Sequence, residues 1–284
     1  MTRMGRLISA ALLLLFSSVL LLPACRRPST SAESETPATP KIPRPGKPWT
    51  NSLGRLLVPA GSKPTVLWCV EETRGGDFRL FVQETKTQWI PPDAETGDEY
   101  PAANVTWDDA QAFCGWLTQR ERVARLLGPQ QRYRLPTDAE WSEAAGLAEE
   151  RPGTPAEKGQ EEIVQYTWGS SWPPPAKAGN FSDEEAPVDH TEPDLFIAGY
   201  RDGYPRLAPV GKFTPTPAGL YDLSGNVLEW CEDWFNARHF GRVARGGSWL
   251  SGDGQTLSLT HRAEIPPRAG LNVVGFRYVL DLGR

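Results

Sequence analysis

From residue 149 to residue 219 the sequence shows neither the alternation of a strand nor the three-to-four spacing of a helix. Proline and glycine are dense there, with Trp168, Trp172, Tyr200 and Tyr204 scattered among them. A loop region of that length in a compact domain needs an organiser: disulfides, a metal or a function. The stretch holds no cysteine, so a disulfide within it is excluded. The expectation is therefore a bound ion. The whole chain of 284 residues has 27 glycines, 27 prolines and 11 tryptophans, which points to a loop-rich globule rather than a helix bundle. Its formal charge is −5 with no basic block, which argues against electrostatic nucleic-acid binding.

The amino terminus reads as an address. Arg3 and Arg6 precede an apolar run from Leu7 to Leu22, and Leu22-Pro23-Ala24-Cys25 follows. Such a run is a secretory signal. A plain transmembrane anchor is the alternative, but the run falls short of the ~20 residues that span comfortably. The Leu-x-Ala-Cys ending resembles a bacterial lipobox, which implies a signal peptide over 1–24 and a lipid on Cys25. Attachment would come from acyl chains burying methylenes in the membrane. Arg26 follows Cys25, and by resemblance to Gram-negative sorting the outer membrane is expected over the inner. Residues 25–60 are rich in Pro, Ser and Thr and read as a semi-extended tether, leaving 61–284 as the folded domain.

Two helices announce themselves. Thr106 with Asp109 three residues on can cap the first, and Trp107, Ala110, Phe113, Cys114 and Leu117 give it one apolar face. Thr137 with Glu140 opens the second, followed by Trp141, Ala144, Ala145 and Ala148. Val66–Val70 and Phe78–Val82 read as short apolar elements divided by a turn at Gly75-Gly76. With Cys25 lipidated, Cys69, Cys114 and Cys231 remain, an odd number, so at least one thiol is free or intermolecular. Cys114 lies on the apolar face and reads as a small buried hydrophobe. No Cys/His cluster suggests zinc.

Carboxylates and amides supply candidate ion ligands. Asp222 and Glu229, with Gly225 turning the chain between them, could offer two carboxylates and inner carbonyls to a calcium ion. On spacing alone an ordinary surface turn is the better reading, since Asp-Gly and Ser-Gly are common turns.

Four ordered blocks resemble the formylglycine-generating enzyme family, also called sulfatase-modifying factors. They are Val105 to Trp116; Arg134-Leu-Pro-Thr-Asp-Ala-Glu-Trp141; Gly219 to Trp230, then Asp233-Trp234; and Arg245-Gly-Gly-Ser-Trp249, closing with Gly275-Phe276-Arg277. The resemblance runs from about residue 64 to the end. It implies an α+β fold of C-type-lectin type, low in regular structure, with two main helices and structural calcium. By position, Asn180, Phe181, Asp202 and Tyr204 match one calcium site, the first and third by side chain and the others by carbonyl. Asp222, Gly225, Val227 and Glu229 match a second, with carboxylates at the ends and carbonyls between. Leu228 stands where the family commonly has Trp, at a position that is not a ligand.

The family's oxidase chemistry uses two cysteines after the Gly-Gly-Ser-aromatic turn, as thiolate ligands of copper. Those positions are Ser251 and Thr256 here. A hydroxyl is not a ready soft ligand and forms no disulfide. Copper is therefore not expected, nor conversion of cysteine to formylglycine. Tyr278 stands where some relatives carry the disulfide partner of the cysteine at position 114. His190, His239 and His261 are widely separated and read as surface or hydrogen-bonded histidines; a three-histidine iron site resembles the sulfoxide synthases of the superfamily, which draw ligands from an extra helical domain. Arg245 and Arg262 flank the turn, either as structural ion pairs or as cleft residues that meet an acidic ligand. A cleft framed by Trp249, Arg262 and Gly275-Phe276-Arg277 is expected to form.

The expected function is that of an envelope-anchored lipoprotein with a non-catalytic domain that binds an envelope protein or a glycan. The alternative is a metal-dependent oxidase of the same superfamily acting on an exported protein or peptide.

Overall fold

The computed structural model describes residues 42–92, 97–147, 150–160, 165–192 and 195–283. The expected signal peptide, Cys25, the tether up to residue 41 and Ala148 lie outside the described residues.

The first sheet starts earlier in the chain than the expected domain boundary at 61. Strands β1 (Trp49–Thr50) and β2 (Leu56–Pro59) pair antiparallel, and β2 pairs with β3 (Val66–Cys69). Leu57 is fully buried. Residues 49–59 thus belong to the fold, not to a tether. β3 is buried along its whole length, as the run Val-Leu-Trp-Cys requires.

A further helix, α1 (Gly75–Thr85), occupies the segment expected to hold a turn and a short apolar element. Phe78 and Phe81 fall on its buried face. The two expected helices form as α2 (Trp107–Val123) and α3 (Asp138–Ala145). Both begin with a reciprocal capping box, Thr106 with Asp109 and Thr137 with Glu140. Strand β4 (Arg132–Arg134) separates them, and a single turn, α4 (Pro155–Lys158), follows. Phe78, Phe81, Phe113 and Phe276 pack with ring centroids 5.2–6.0 Å apart at the junction of α1, α2 and the chain end. Burial of each such ring contributes about 1.5–3 kcal/mol.

The second sheet contains β5 (Leu228–Trp234), β6 (Arg242–Arg245), β7 (Ala263–Ile265) and β8 (Val274–Gly275), in the order β7-β6-β5-β8. The β5–β8 pair is parallel and the others antiparallel. The last strand, β9 (Val279–Asp281), returns to the first sheet and inserts between β3 and β4, giving the order β1-β2-β3-β9-β4. The arrangement is α+β with little regular structure, as expected. Among the described residues no helix is long and apolar enough to cross a membrane.

Between α4 and β5 the described residues form no named strand or helix, in accord with the missing periodicity. An aromatic cluster fills this region: Tyr166, Phe181, Ile197, Tyr200 and Leu257, with Trp168 against it. The Tyr200 hydroxyl donates to the Gly179 carbonyl at 2.8 Å. The buried Asp183 carboxylate accepts from the Glu185 and Asp202 amides at 2.7 and 2.8 Å. These contacts satisfy backbone groups that a ladder would otherwise serve.

Candidate functional site

The Gly246-Gly247 turn leaves β6 with both residues at positive φ, 97° and 72°. A side chain at Gly247 would begin 2.6 Å from the Leu257 Cδ2 and 3.3 Å from both the Ser251 hydroxyl and the Thr256 carbonyl. The turn thus brings positions 251 and 256 against one point, where the family's two cysteines are expected. Here both hydroxyls are engaged locally. The Ser251 Oγ accepts from the Ser248 amide at 3.1 Å. The Thr256 hydroxyl donates to the Asp253 carboxylate at 2.9 Å. Neutral hydroxyls are hard oxygens and offer copper(I) no thiolate.

Arg245 and Arg262 do not face a cleft. Both reach Asp138 at the start of α3, Arg245 in a close ion pair and Arg262 at 3.1 Å. Arg245 also donates to the Leu259 carbonyl at 2.6 Å and lies over the Trp141 ring at 4.4 Å. Arg262 pairs closely with Glu150, which Lys158 meets at 2.9 Å. Burial alone would raise the Glu150 carboxyl, but the hydrogen bonds from Lys158 and Arg262 outweigh it and hold it near 2. The structural role considered for these arginines is the one observed. Trp249 and Arg262 are each only 5% exposed. Trp249 packs with Ala103, Leu207 and Val227, and its indole donates to the Asn272 carbonyl at 3.3 Å. Arg277 is wholly buried against Glu229 at 2.7 Å. The cleft expected between these residues is therefore filled by their own packing.

A different recess, of about 290 Å3, lies beside the turn, with walls from residues 172–173, 196–198 and 252–254. Trp172 stands at its rim, 44% exposed. Among the described residues, Asp253 is the one charged residue of its lining.

The centre of the motif Gly225-Asn226-Val227 is Asn226, fully buried and at φ 56°. Its side-chain oxygen accepts from the Asn180 amide and the Ala208 backbone N–H, both at 2.9 Å. Its side-chain nitrogen donates to Glu72 at 2.7 Å and to the Ala208 carbonyl at 3.2 Å. One amide thereby joins the segment after β3, the 180 loop and the 208 loop. Glu72 was not a sequence candidate; it sits outside the matching motifs, next to Glu71 and Thr73, and nothing in its spacing sets it apart.

The residues expected to hold calcium are placed as follows. The Asn180 Nδ2 donates to the Arg206 carbonyl at 2.7 Å, while its Oδ1 is buried with no hydrogen-bond partner among the described residues. Asp202 accepts from the Phe181 amide at 2.9 Å and from the Tyr204 amide at 2.8 Å. Burial, with Asp183 and Glu185 nearby, raises its carboxyl to about 7 against the pull of those two amides. Asp222 accepts from the Gly211 amide at 2.6 Å through Oδ2, and its Oδ1 is likewise buried without a partner. Burial raises this carboxyl to about 6. Glu229 has both oxygens engaged, by Arg277 at 2.7 Å and by the Trp141 indole at 3.0 Å. Gly225 and Val227 are tied by their amides to the Gly246 carbonyl and to Glu72. A buried oxygen with no donor is what a hard cation satisfies. Asn180 and Asp222 fit the group; Glu229 is already charge-paired. No group of three His, Cys, Asp or Glu side chains suited to a metal occurs among the described residues.

The histidines occupy three different surroundings. His190 packs on Phe196, His239 stacks on Trp234, and His261 is largely buried, its pKa lowered by burial and by Arg245. Cys69, Cys114 and Cys231 are all free and buried, and burial raises each thiol.

Residues 69–282 match the family model described as a sulfatase-modifying factor enzyme 1-like domain. The chain is 33% identical over 195 residues to the inactive C-alpha-formylglycine-generating enzyme 2 of Bos taurus, covering 66% of this chain and 52% of that protein. It is 28% identical over 218 residues to the formylglycine-generating enzyme of Streptomyces coelicolor, covering 68% and 58%. The chain thus spans little more than half the length of these relatives. In fold it is similar to PvdO from Pseudomonas aeruginosa, with a TM-score of 0.59 at 18% identity, over 85% of this chain and 100% of that one. With the four sequence blocks, the capped helices and the Gly-Gly turn all in place, the chain belongs to the sulfatase-modifying factor, or formylglycine-generating enzyme, family.

Proposed function

We propose that this protein is an envelope-anchored lipoprotein whose family domain serves as a non-catalytic binding or scaffold module. One observation carries the reading: the two positions that the family's copper chemistry requires hold Ser251 and Thr256, and both hydroxyls are engaged in the local turn. An oxygen at either position cannot accept a substrate sulfur in a mixed disulfide, and neither supplies a soft ligand. The similarity to a relative named as inactive supports the same reading. The leader ending in Cys25 supports lipid attachment, with the outer membrane as the expected address. Calcium is proposed at Asn180 and Asp202, with the carbonyls of Phe181 and Tyr204, and at Asp222 in the second set. There it would satisfy the two orphaned oxygens and brace the loops between α4 and β5. The test is incubation of the purified protein with copper and a Cys-x-Pro-x-Arg peptide, followed by mass spectrometry. The reading expects no aldehyde and no bound copper; an aldehyde product would restore the oxidase.

A further inference from the structure

Both ends of the described domain meet at one place. The Pro43 carbonyl accepts from the Gln131 side chain at 3.2 Å, just before β4. A side chain on Gly283 would begin 3.0 Å from the Gln130 Cβ. The carboxyl end of α2 joins them, where the Arg122 guanidinium donates to the carbonyls of Pro129 and Gln131 at 3.0 and 2.9 Å. These contacts gather bases from three segments: Arg44 and Lys47, Arg122 and Arg125, and Arg132. All five are exposed, and among the described residues no carboxylate pairs with any of them. The carboxylates that adjoin them are engaged elsewhere. Glu121 accepts from the Ser52 amide and the Tyr133 hydroxyl, Asp281 meets Arg134, and Glu84 pairs closely with Arg120. Val123 stands among the bases, 74% exposed. Arg132 alone could be read as protection of the edge strand β4. Arg44, Lys47 and Arg125 lie on no strand, so edge protection does not account for them. The chain as a whole is acidic, at −5, and this face reverses that sign. The sequence shows no basic block because the fold assembles one.

We infer that this face rests on the anionic phospholipid surface of the membrane that carries the protein. The inference builds on the reading of the chain as a lipoprotein. Chain connectivity selects the occupant: the residues before Ile42 lead to Cys25, so a lipid there is joined to the domain on its basic side. Seventeen residue steps separate Cys25 from Ile42, at most roughly 60 Å of chain. Arg26 and Arg27, next to Cys25, add to the same attraction. A membrane held this near is present at a high effective concentration, which an acidic protein free in solution is not. Each base close to an anionic surface strengthens partitioning about fivefold. Salt screens such a contact, so it orients a domain that the lipid already holds rather than retaining an unlipidated chain.

The test is co-sedimentation with vesicles of the chain from residue 25 onward carrying Cys25→Ser, so that no acyl chain contributes. Vesicles of phosphatidylcholine with about one third phosphatidylglycerol are compared with phosphatidylcholine alone, at low ionic strength where screening is weak. The anionic vesicles are expected to retain the protein at least about tenfold better. The combined variant Arg44→Glu, Arg125→Glu and Arg132→Glu should lose that advantage, whereas lysine at the same three positions should keep it. Arg206→Glu, Lys212→Glu and Arg238→Glu, exposed bases on other segments, make the same change in net charge and should leave retention within about twofold. Tryptophan fluorescence checks that each variant is folded, and Arg125→Glu alone, at an exposed turn, should weaken retention about fivefold or more. Equal retention on the two kinds of vesicle, or an equal loss in the two triple variants, overturns the assignment. So does binding of poly-glutamate by a protein that the anionic vesicles do not retain, which would make the partner an acidic polypeptide. Mass spectrometry of residue 25 in the wild-type protein tests the lipoprotein reading separately, because retention of the Cys25→Ser chain does not depend on lipidation.

Discussion

Replacing Asn226 should show how much of the fold depends on one amide. In Asn226→Ala the Ala208 N–H and carbonyl lose their side-chain partner, a Glu72 oxygen loses its donor, and Asn180 keeps only the Arg206 carbonyl. A buried polar group left without a partner costs about 1–3 kcal/mol. With the Ala208 N–H and the Glu72 oxygen counted as the orphans, the loss is about 2–6 kcal/mol. Position 226 is also held at φ 56°, where an alanine adds about 1–2 kcal/mol of backbone strain. The sum, about 3–8 kcal/mol, is comparable with the whole stability of a typical domain, about 5–15 kcal/mol. Asn226→Gly separates the two effects, because glycine accepts the φ but supplies no hydrogen bond. It should recover up to about 1 kcal/mol relative to alanine and no more. Urea unfolding followed by tryptophan fluorescence measures both. If either variant unfolds within about 0.5 kcal/mol of the unaltered protein, the hub argument is wrong.

Further expectations concern the ion, the anchor and the boundary. Chelation should lower the melting temperature, and Asp202→Ala should reproduce part of that loss; a melting curve unmoved by excess chelator, with no calcium co-purifying, refutes the site. In chelator, Asp202 and Asp222, raised to about 7 and about 6, favour the protonated folded state. Their contribution is full below the unfolded value near 4 and is lost as pH rises towards 7, so the calcium-free protein should melt lower at pH 7.5 than at pH 5.5; calcium should reverse or flatten this slope by replacing the proton. Cys25→Ser should release the protein from membranes, and an intact peptide bond joining residue 24 to an unmodified residue 25 in the wild type would refute lipidation. A chain beginning at residue 61 should be markedly less stable than one beginning at 42, because it lacks β1 and β2, including the buried Leu57; equal urea midpoints would show that those strands contribute nothing.

What was legible in the sequence was whatever has a local code. Thr106 with Asp109 and Thr137 with Glu140 announce α2 and α3 because a capping box is written within four residues. Helix α1 was missed because Gly75-Gly76 reads as a turn. These glycines instead serve close approach: a side chain on Gly76 would begin 2.9 Å from Asp98. That requirement comes from a distant segment and leaves no local trace. β1 and β2 are two and four residues long, too short for a period to show. Glu150 lies 112 positions from Arg262, and Glu72 lies 154 from Asn226; these ionic and amide pairings exist only once the chain is folded. The motif residues predicted where positions 251 and 256 would meet, but not that Trp249 and Arg262 would be consumed by packing.

The place of β9 bears on the order in which the domain can be completed. It is the domain's last strand, yet it lies inside the first sheet, with β3 on one side and β4 on the other. A chain emerging amino end first, from a ribosome or through a translocation pore, exposes the inner edges of β3 and β4 until residues 279–281 arrive. During that interval two unpaired strand edges are open to other chains. The sheet closes in a single late event of high sequence separation, which slows folding. At the exit site, neighbouring chains therefore compete with residues 279–281 for the same two edges.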